Sequence, residues 1–172
     1  MEAIENLLTR RSIRSYKPDA VPNELLDRVI EAGLYAASAM GEQKVIILKV
    51  TNRELRDKLS KMNAAVFGRD NDPFYGAPAV LVVLADKNMP THVYDGSVCM
   101  ENMMLAAHTL GLGTCWIHRA KEMFETDEGK EILKSLGVKG EYEGVANCII
   151  GYPNGEAPTP APRKSGRVYE AK

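Results

Sequence analysis

The sequence has little excess charge, few cysteines and no long apolar run. Lysine and arginine together number 22, and aspartate and glutamate 23, so the net charge is −1. Binding nucleic acid along a surface needs a basic face that neutralises several phosphates, so this balance argues against that class. No apolar stretch reaches the roughly 18 residues of a membrane helix. No basic segment followed by an apolar one opens the chain, so we expect a cytoplasmic protein without a membrane partner.

Motifs for metals and for nucleophilic catalysis are also missing. The three cysteines are odd in number, lack CxxC spacing and lie in apolar stretches, which predicts buried reduced thiols: Cys99, Cys115 and Cys148. The histidines show no ligand spacing, and HExxH, GxSxG and P-loop motifs are absent. The stretch GLGTCW lacks GxGxxG and follows a predicted helix, so a Rossmann nicotinamide site is not supported. We therefore expect neither a metal site nor a catalytic residue.

The 172 residues, 45% of them hydrophobic, are enough for one domain with a core, spanning 1–172. Apolar periodicity predicts mixed helices and strands, so the fold class is α+β or mixed α/β. We expect helices at 2–9, from Pro22 to about 37, and at 53–66, 91–110 and 120–136. We expect strands at 45–50, 79–85, 114–118 and 144–152. Methionines at 100, 103 and 104 favour a core or a subunit interface.

A proline-rich tail ends the chain, at 153–172. It has no apolar period, so it is predicted to be an extended arm. Such an arm is either disordered or wrapped on another surface.

A basic cluster near the start carries the first functional signal. If 10–16 is extended, Arg10, Ser12 and Arg14 project on one side, because strand side chains alternate. Two guanidinium forks and a hydroxyl suit a phosphate monoester. A stiff arm that ends in Arg163 and Lys164 can return to the same anion. The alternative is a solvated basic turn with surface salt bridges.

Two further segments combine small, polar and aromatic residues. In AASAMGEQ (36–43), small residues permit close approach of a ring, and Gln43 offers a donor and an acceptor. The alternative there is a helix C-cap with Gly41 in the left-handed conformation. In GLGTCWIH (111–118), Trp116 either stacks on a ligand or fills the core, and His118 is either functional or a surface residue.

Together these segments resemble the nitroreductase family of flavin-dependent oxidoreductases. RRSIRSY is similar to the family's flavin-phosphate signature, and ASAMGEQ resembles its PSxMNxQPW-type segment. GAPAVLVVLAD, MLAAHTLGLGTCWI, VANCIIGYP and the final PRK resemble family segments in the same order. The resemblance covers nearly the whole chain.

This resemblance implies an α+β fold, with a central, mostly antiparallel sheet flanked by helices, and an intertwined homodimer with FMN at the interface. Arg10, Ser12 and Arg14 would hold the FMN phosphate, with Arg11 acting mainly through its backbone and Arg163 and Lys164 completing the site. The other subunit would supply Ala37, Ser38, Ala39 and Gly41, with Gln43 close by. Trp116, Ile117 and His118 would pass the flavin ring near its reactive N5 edge.

The implied activity is a ping-pong reaction in which NAD(P)H reduces FMN, and FMN then reduces a nitroaromatic, a quinone or a similar small molecule. The chain departs from the family pattern at Gly41, where the family has Asn, and at Lys44 and Val45, where it has Pro-Trp. These departures reshape the substrate pocket and motivate one alternative, a dehalogenating or flavin-fragmenting enzyme of the same fold. Two alternatives of another class also stay open: a non-catalytic flavin-binding module, and a dimeric interaction domain without flavin.

Overall fold

The computed structural model describes residues 2–171 and places a layer of strands between two layers of helices. The α+β class is confirmed. In chain order the elements are α1 Ala3–Thr9, α2 Asn23–Leu34, a 3-10 turn Ala39–Gly41, β1 Val45–Val50, α3 Arg53–Phe67, β2 Ala79–Asp86, α4 His92–Thr109, β3 Gly113–Ile117, α5 Ala120–Glu125, α6 Asp127–Ser135 and β4 Tyr142–Gly151.

The four strands form one sheet in the order β1-β2-β4-β3, and all three pairings are antiparallel. The longest strands, β2 and β4, occupy its centre. An antiparallel central sheet therefore agrees with the sequence prediction, and the order leaves β3 as an edge strand with a free side.

Both faces of the sheet are covered, and β2 shows this in its alternation. Leu81 and Val83 join the apolar cluster beneath α2 and α4, whereas Val82 and Leu84 join the cluster beneath α3, α5 and α6. A strand that is buried on both faces has no polar side, which explains the continuous apolar run of β2 in the sequence.

Helices α2 and α4 pack closely where α2 carries a glycine. A Cβ built on Gly33 would lie 2.5 Å from Cγ of Met103. Met100, Met103 and Met104 are all buried in the cluster beneath these helices. The methionine-rich face of α4 is thus part of the core of a single chain.

The single helix predicted at 120–136 is wrong, because the chain breaks at Thr126. Thr126 is extended (φ −68°, ψ 157°), and its Oγ1 accepts a hydrogen bond from the Gly129 amide at 3.0 Å. This side-chain cap satisfies an amide that has no partner within the helix, so α6 starts afresh at Asp127.

The end of α2 also differs from the prediction. The helix stops at Leu34 instead of near residue 37. Gly41 is left-handed as expected (φ 68°), but it ends the 3-10 turn and does not cap α2.

The three cysteines are buried and unpaired, as predicted. Residues 154–171 are exposed and form neither helix nor strand. Within residues 2–171, no helix combines the length and the apolar character needed to cross a membrane.

Candidate functional site

The basic segment lies along the free side of β3. Ser12 forms a parallel bridge with Thr114, and the Ile13 amide donates a hydrogen bond to the Thr114 carbonyl at 2.9 Å. Ile13 packs over Gly113, where a Cβ would approach it to 2.8 Å. The glycine therefore lets the segment approach β3 closely, and the segment is extended as the sequence predicted.

The arginines of this segment have different partners. Nε of Arg10 lies 3.5 Å from Oε1 of Glu101 on α4. Arg11 turns back and donates to the carbonyls of Leu8 at 2.8 Å and Arg10 at 2.6 Å. Arg14 is exposed, with its guanidinium carbon 6.0 Å from the centre of the Tyr75 ring. Arg11 is thus bonded locally. Within residues 2–171 no hydrogen bond or ion pair engages the terminal nitrogens of Arg10 or the guanidinium of Arg14, so these groups can bind a ligand.

A histidine next to the segment experiences its positive charge. Nε2 of His108 lies 2.9 Å from Oγ1 of Thr9 at the end of α1. Burial lowers the pKa of His108, and the charges of Arg10 and Arg11 lower it further. Glu5 raises this pKa by less than the arginines lower it, so positive charge predominates around the imidazole.

The loop after α2 is fixed at the opposite end of α4. The Ala39 amide donates to Oδ2 of the buried Asp95 at 3.3 Å, and the Gln43 amide donates to Oγ of Ser38 at 3.1 Å. Ala37, Ser38 and Gln43 line a small cavity together with Asp95. Met40 and Gln43 both have positive φ, a conformation that costs free energy outside glycine and that often marks binding loops.

The segment 116–118 ends β3 and enters a tight turn. Trp116 is half-buried against the core, Ile117 is buried and His118 is exposed. Of the three residues predicted to pass a flavin, His118 is thus the most accessible at the edge of the sheet, and Ile117 the least.

Two buried amides fix this turn, and the sequence analysis did not single them out. Nδ2 of Asn63 donates to the His118 carbonyl at 2.7 Å. Nδ2 of Asn147 lies 3.3 Å from the Ile117 carbonyl and 3.4 Å from that of His118. Both side chains are fully buried, at 0% exposure. A single amide inside an apolar run, as in MNAAV and VANCII, is the signal that predicts such an internal bond.

The C-terminal arm does not complete the site within one chain. Arg163 and Lys164 are exposed, and the hydrogen bond of Arg163 runs to the Ala161 carbonyl two residues away, at 3.5 Å. The structure thus brings 10–14 together with β3 and holds 37–43 at the far end of α4. The arm starts beside the basic segment, where the Asn154 amide donates to the Ser15 carbonyl at 3.0 Å, but among residues 2–171 no hydrogen bond joins Arg163 or Lys164 to 10–14.

The sequence matches a family of known proteins. A sequence model of the nitroreductase family matches residues 7–70 and 63–152. The chain belongs to the nitroreductase family. A relative from Methanothermobacter thermautotrophicus, named as an NADH dehydrogenase/NAD(P)H nitroreductase, is 34% identical over 125 residues, which cover 67% of this chain and 60% of that protein. The Bacillus subtilis FMN reductase [NAD(P)H] is 27% identical over 169 residues, covering 88% of this chain and 66% of that protein.

Solved structures of nitroreductases share the whole fold. A nitroreductase with bound FMN from Bacteroides fragilis superposes with a TM-score of 0.91 at 25% identity, and the match covers 100% of both chains. This nitroreductase fold therefore extends through the C-terminal arm, whereas the two relatives compared by sequence are longer than the part they share with this chain.

The donors of this nitroreductase chain fit the phosphate end of FMN. A hydroxyl at Ser12 and the free nitrogens of Arg10 and Arg14 belong to one extended segment, and guanidinium groups bind phosphate through paired hydrogen bonds. Thr114 lies beside Ser12, and the extended chain from Thr114 to His118 spans about 13 Å, since each residue adds about 3.3 Å. The outer edge of β3 between Thr114 and His118 is thus long enough to lie alongside an extended ligand.

Proposed function

We propose that this chain is an FMN-dependent oxidoreductase that takes electrons from NADH or NADPH and passes them to a small acceptor such as a nitroaromatic or a quinone. Support comes from the family, from the bound FMN in the B. fragilis structure, and from the name of the B. subtilis relative.

The bonded contact between Ser12 and Thr114 is the observation that carries the proposal. This contact attaches the segment with the hydrogen-bond donors for the phosphate, Arg10, Ser12 and Arg14, to the same strand that leads into 116–118. When bound, FMN supplies the hydride and electron transfer, while the protein binds, orients and shields it. In this proposal the backbone of Trp116 to His118, which the two buried amides hold in place, follows the ring edge.

The proposal includes a homodimer with the flavin at its interface. Ile4 and Leu8 on α1 are each 67% exposed, and Val168 and Tyr169 in the arm are 86% and 91% exposed. Contiguous exposed apolar residues are typical of an interaction surface. A second copy would cover them, with the arm 153–172 of the single domain 1–172 wrapped on its partner.

In that dimer the remaining predicted residues meet the flavin. The second subunit would supply Ala37, Ser38, Ala39 and Gly41, with Gln43 close by. Arg163 and Lys164 would close the phosphate site. We place the dimer in the cytoplasm, because three buried, unpaired cysteines suit a reducing compartment.

Anaerobic mixing of the FMN-loaded protein with NADH and with NADPH tests the proposal. Loss of the flavin absorbance with at least one donor is expected. An unbleached flavin with both donors would refute the reductase activity. Bleaching without reoxidation by any organic acceptor would favour a flavin-binding module instead. Turnover of a halogenated substrate alone would favour the dehalogenating alternative that Gly41, Lys44 and Val45 motivate.

The phosphate assignment has its own test. The double variant Arg10→Ala/Arg14→Ala should lose FMN and keep its fold, while Arg53→Ala, which removes an arginine side chain that is 94% exposed on α3, should keep both. Each lost charge-assisted contact should cost about 1.5–3 kcal/mol of binding.

A further inference from the structure

Two arginines share one aromatic ring at the end of α3. The guanidinium carbon of Arg69 lies 4.5 Å from the centre of the Phe67 ring, and that of Arg119 lies 4.2 Å from it. Both distances are within the range of cation–π contacts, and together they keep the two guanidinium groups within about 9 Å of each other. We call this the Arg69–Arg119 pair.

No carboxylate within the described part of the chain forms an ion pair with either arginine. Among the ion pairs of residues 2–171, none includes Arg69 or Arg119. The hydrogen bonds of Arg119 run from Nε and Nη2 to a neutral acceptor, Oδ1 of Asn63, at 3.1 and 2.9 Å. Nη1 of Arg119 and the fork of the exposed Arg69 are therefore available to an anion from solution.

The core holds one member of the pair in place. Arg119 has a left-handed backbone (φ 73°), which is uncommon for a residue with a side chain. Asn63, fully buried, holds that turn from both sides, since it donates to the His118 carbonyl at 2.7 Å and accepts from the Arg119 guanidinium. A guanidinium that is fixed before binding loses less conformational freedom when a ligand arrives.

The guanidinium of Arg119 lies near the segment proposed to follow the flavin edge, because one Asn63 side chain binds both the His118 carbonyl at 2.7 Å and this guanidinium at 2.9 Å. A substrate held there by one end would have its other end close to the flavin. Guanidinium groups favour phosphate, whose oxygens accept two parallel hydrogen bonds from one fork.

We propose that Arg69 and Arg119 bind a phosphoryl group of the substrate that reacts at the flavin. This inference rests on the proposed function for the identity of the reaction, but not for the binding of the anion. The phosphoryl group belongs either to the nicotinamide dinucleotide or to a phosphorylated acceptor.

The first test measures binding without turnover. Inorganic pyrophosphate is titrated calorimetrically into the FMN-loaded protein, in which the donors of 10–14 are already engaged. Wild type should bind it, and Arg69→Gln and Arg119→Gln should each weaken binding by at least about tenfold at low salt. Arg53→Gln is the matched control and should leave binding unchanged. Equal pyrophosphate affinity in wild type and Arg69→Gln overturns the proposal, and so does no binding in wild type.

Arg69→Gln is the decisive variant, because the hydrogen bonds of the Asn63 turn do not include the exposed Arg69 side chain, so its loss should change the melting temperature little. Steady-state kinetics then identify the source of the phosphoryl group. An increase of at least about tenfold in KM for NADPH alone assigns the phosphoryl group to the 2′-phosphate. The same increase for both NADH and NADPH assigns it to the dinucleotide pyrophosphate. An increase for FMN, but not for riboflavin, as the acceptor assigns it to a phosphorylated acceptor. An unchanged KM for all of them overturns the proposal. A protein that carries no flavin refutes the proposed function, while the pyrophosphate titration still tests the pair.

Discussion

Asp72 fixes the loop that follows α3, and its removal gives a quantitative test of the structure. Its carboxylate accepts hydrogen bonds from Nη2 of Arg56 at 2.8 Å, from the amides of Phe74 and Gly76 at 2.9 and 2.7 Å, and from the Ser60 hydroxyl. The loop it fixes also carries Tyr75, the ring beside Arg14.

The expected cost of Asp72→Asn follows from these contacts. Breaking a buried ion pair by removing one partner costs about 3–5 kcal/mol. The side chain of Asp72 is 39% exposed, and Arg56 keeps bonds to Asp57 and to the Ala77 carbonyl, so the cost is reduced. We expect the variant to lose about 2–3 kcal/mol of unfolding free energy, because the charge-assisted hydrogen bonds to the Asp72 carboxylate are weakened. For a chain of this size that is a fall in melting temperature of about 4–12 °C.

The pH dependence of this loss is also predicted. Burial raises the pKa of Asp72, but the hydrogen bonds from Arg56 and Ser60 and from the two amides outweigh it, so the net pKa is lowered. A lowered folded pKa stabilises the protein above the unfolded value near 4, and this stabilisation is lost as the pH falls through the folded value. The unfolding free energies of wild type and Asp72→Asn should therefore differ by the full amount above about pH 5 and become similar in acid.

Urea unfolding at pH 7 and at lower pH measures both effects. Asp70→Asn, which changes an exposed carboxylate two residues away, is the control and should alter stability by less than about 0.5 kcal/mol. Equal losses in the two variants at pH 7, or a difference that persists undiminished in acid, would refute the anchoring role of Asp72.

Three other outcomes follow from the packing and the charges. Gly144→Ala should cost about 1–3 kcal/mol in urea unfolding, because the new Cβ would lie 2.3 Å from the Ala120 carbonyl oxygen; unchanged stability would mean that α5 does not approach β4 so closely. The pKa of His108 should rise when FMN binds, because a phosphate dianion offsets the charge of Arg10. The imidazole NMR signals of His108 measure this pKa, and a value that stays constant or falls would place the phosphate elsewhere. The three thiols should react with a thiol reagent only in urea, since all are buried and burial raises the pKa of Cys99 to about 11; a thiol that reacts rapidly in the native protein would contradict this.

Local sequence patterns predict the sheet well, because its strands are set by side-chain burial. The runs 45–50 and 79–85 are apolar and rich in β-branched residues, and each became a strand within one residue of the predicted bounds. The basic segment at 10–14 is extended for a related reason, since alternation leaves Ile13 to pack on Gly113.

The break at Thr126 was missed although the sequence carries its signal. Thr126 stands three residues before Gly129, and a hydroxyl at that spacing caps a new helix. The break falls in ETDEGKE (125–131), which contains no apolar residue, so apolar periodicity does not mark it. Side-chain capping has to be weighed alongside periodicity.

The turn at His118 and Arg119 depends on contacts that are distant in sequence. Asn63 is 55 residues from the His118 carbonyl that it binds, and Asn147 is 29 residues from it. Local patterns can mark these amides as polar groups in apolar runs that need partners, but only the fold identifies the partners. The same holds for Phe67, which meets Arg119 because α3 and α5 pack together.

The relative affinity for FMN and riboflavin is the sharpest test of the phosphate site, because the two flavins differ only in the phosphate that Arg10, Ser12 and Arg14 are proposed to hold. Flavin fluorescence quenching should show that the flavin-free wild-type protein binds FMN at least about 100-fold more tightly, which corresponds to about 2.8 kcal/mol. Equal affinities for the two flavins, or no binding of either, would contradict the account.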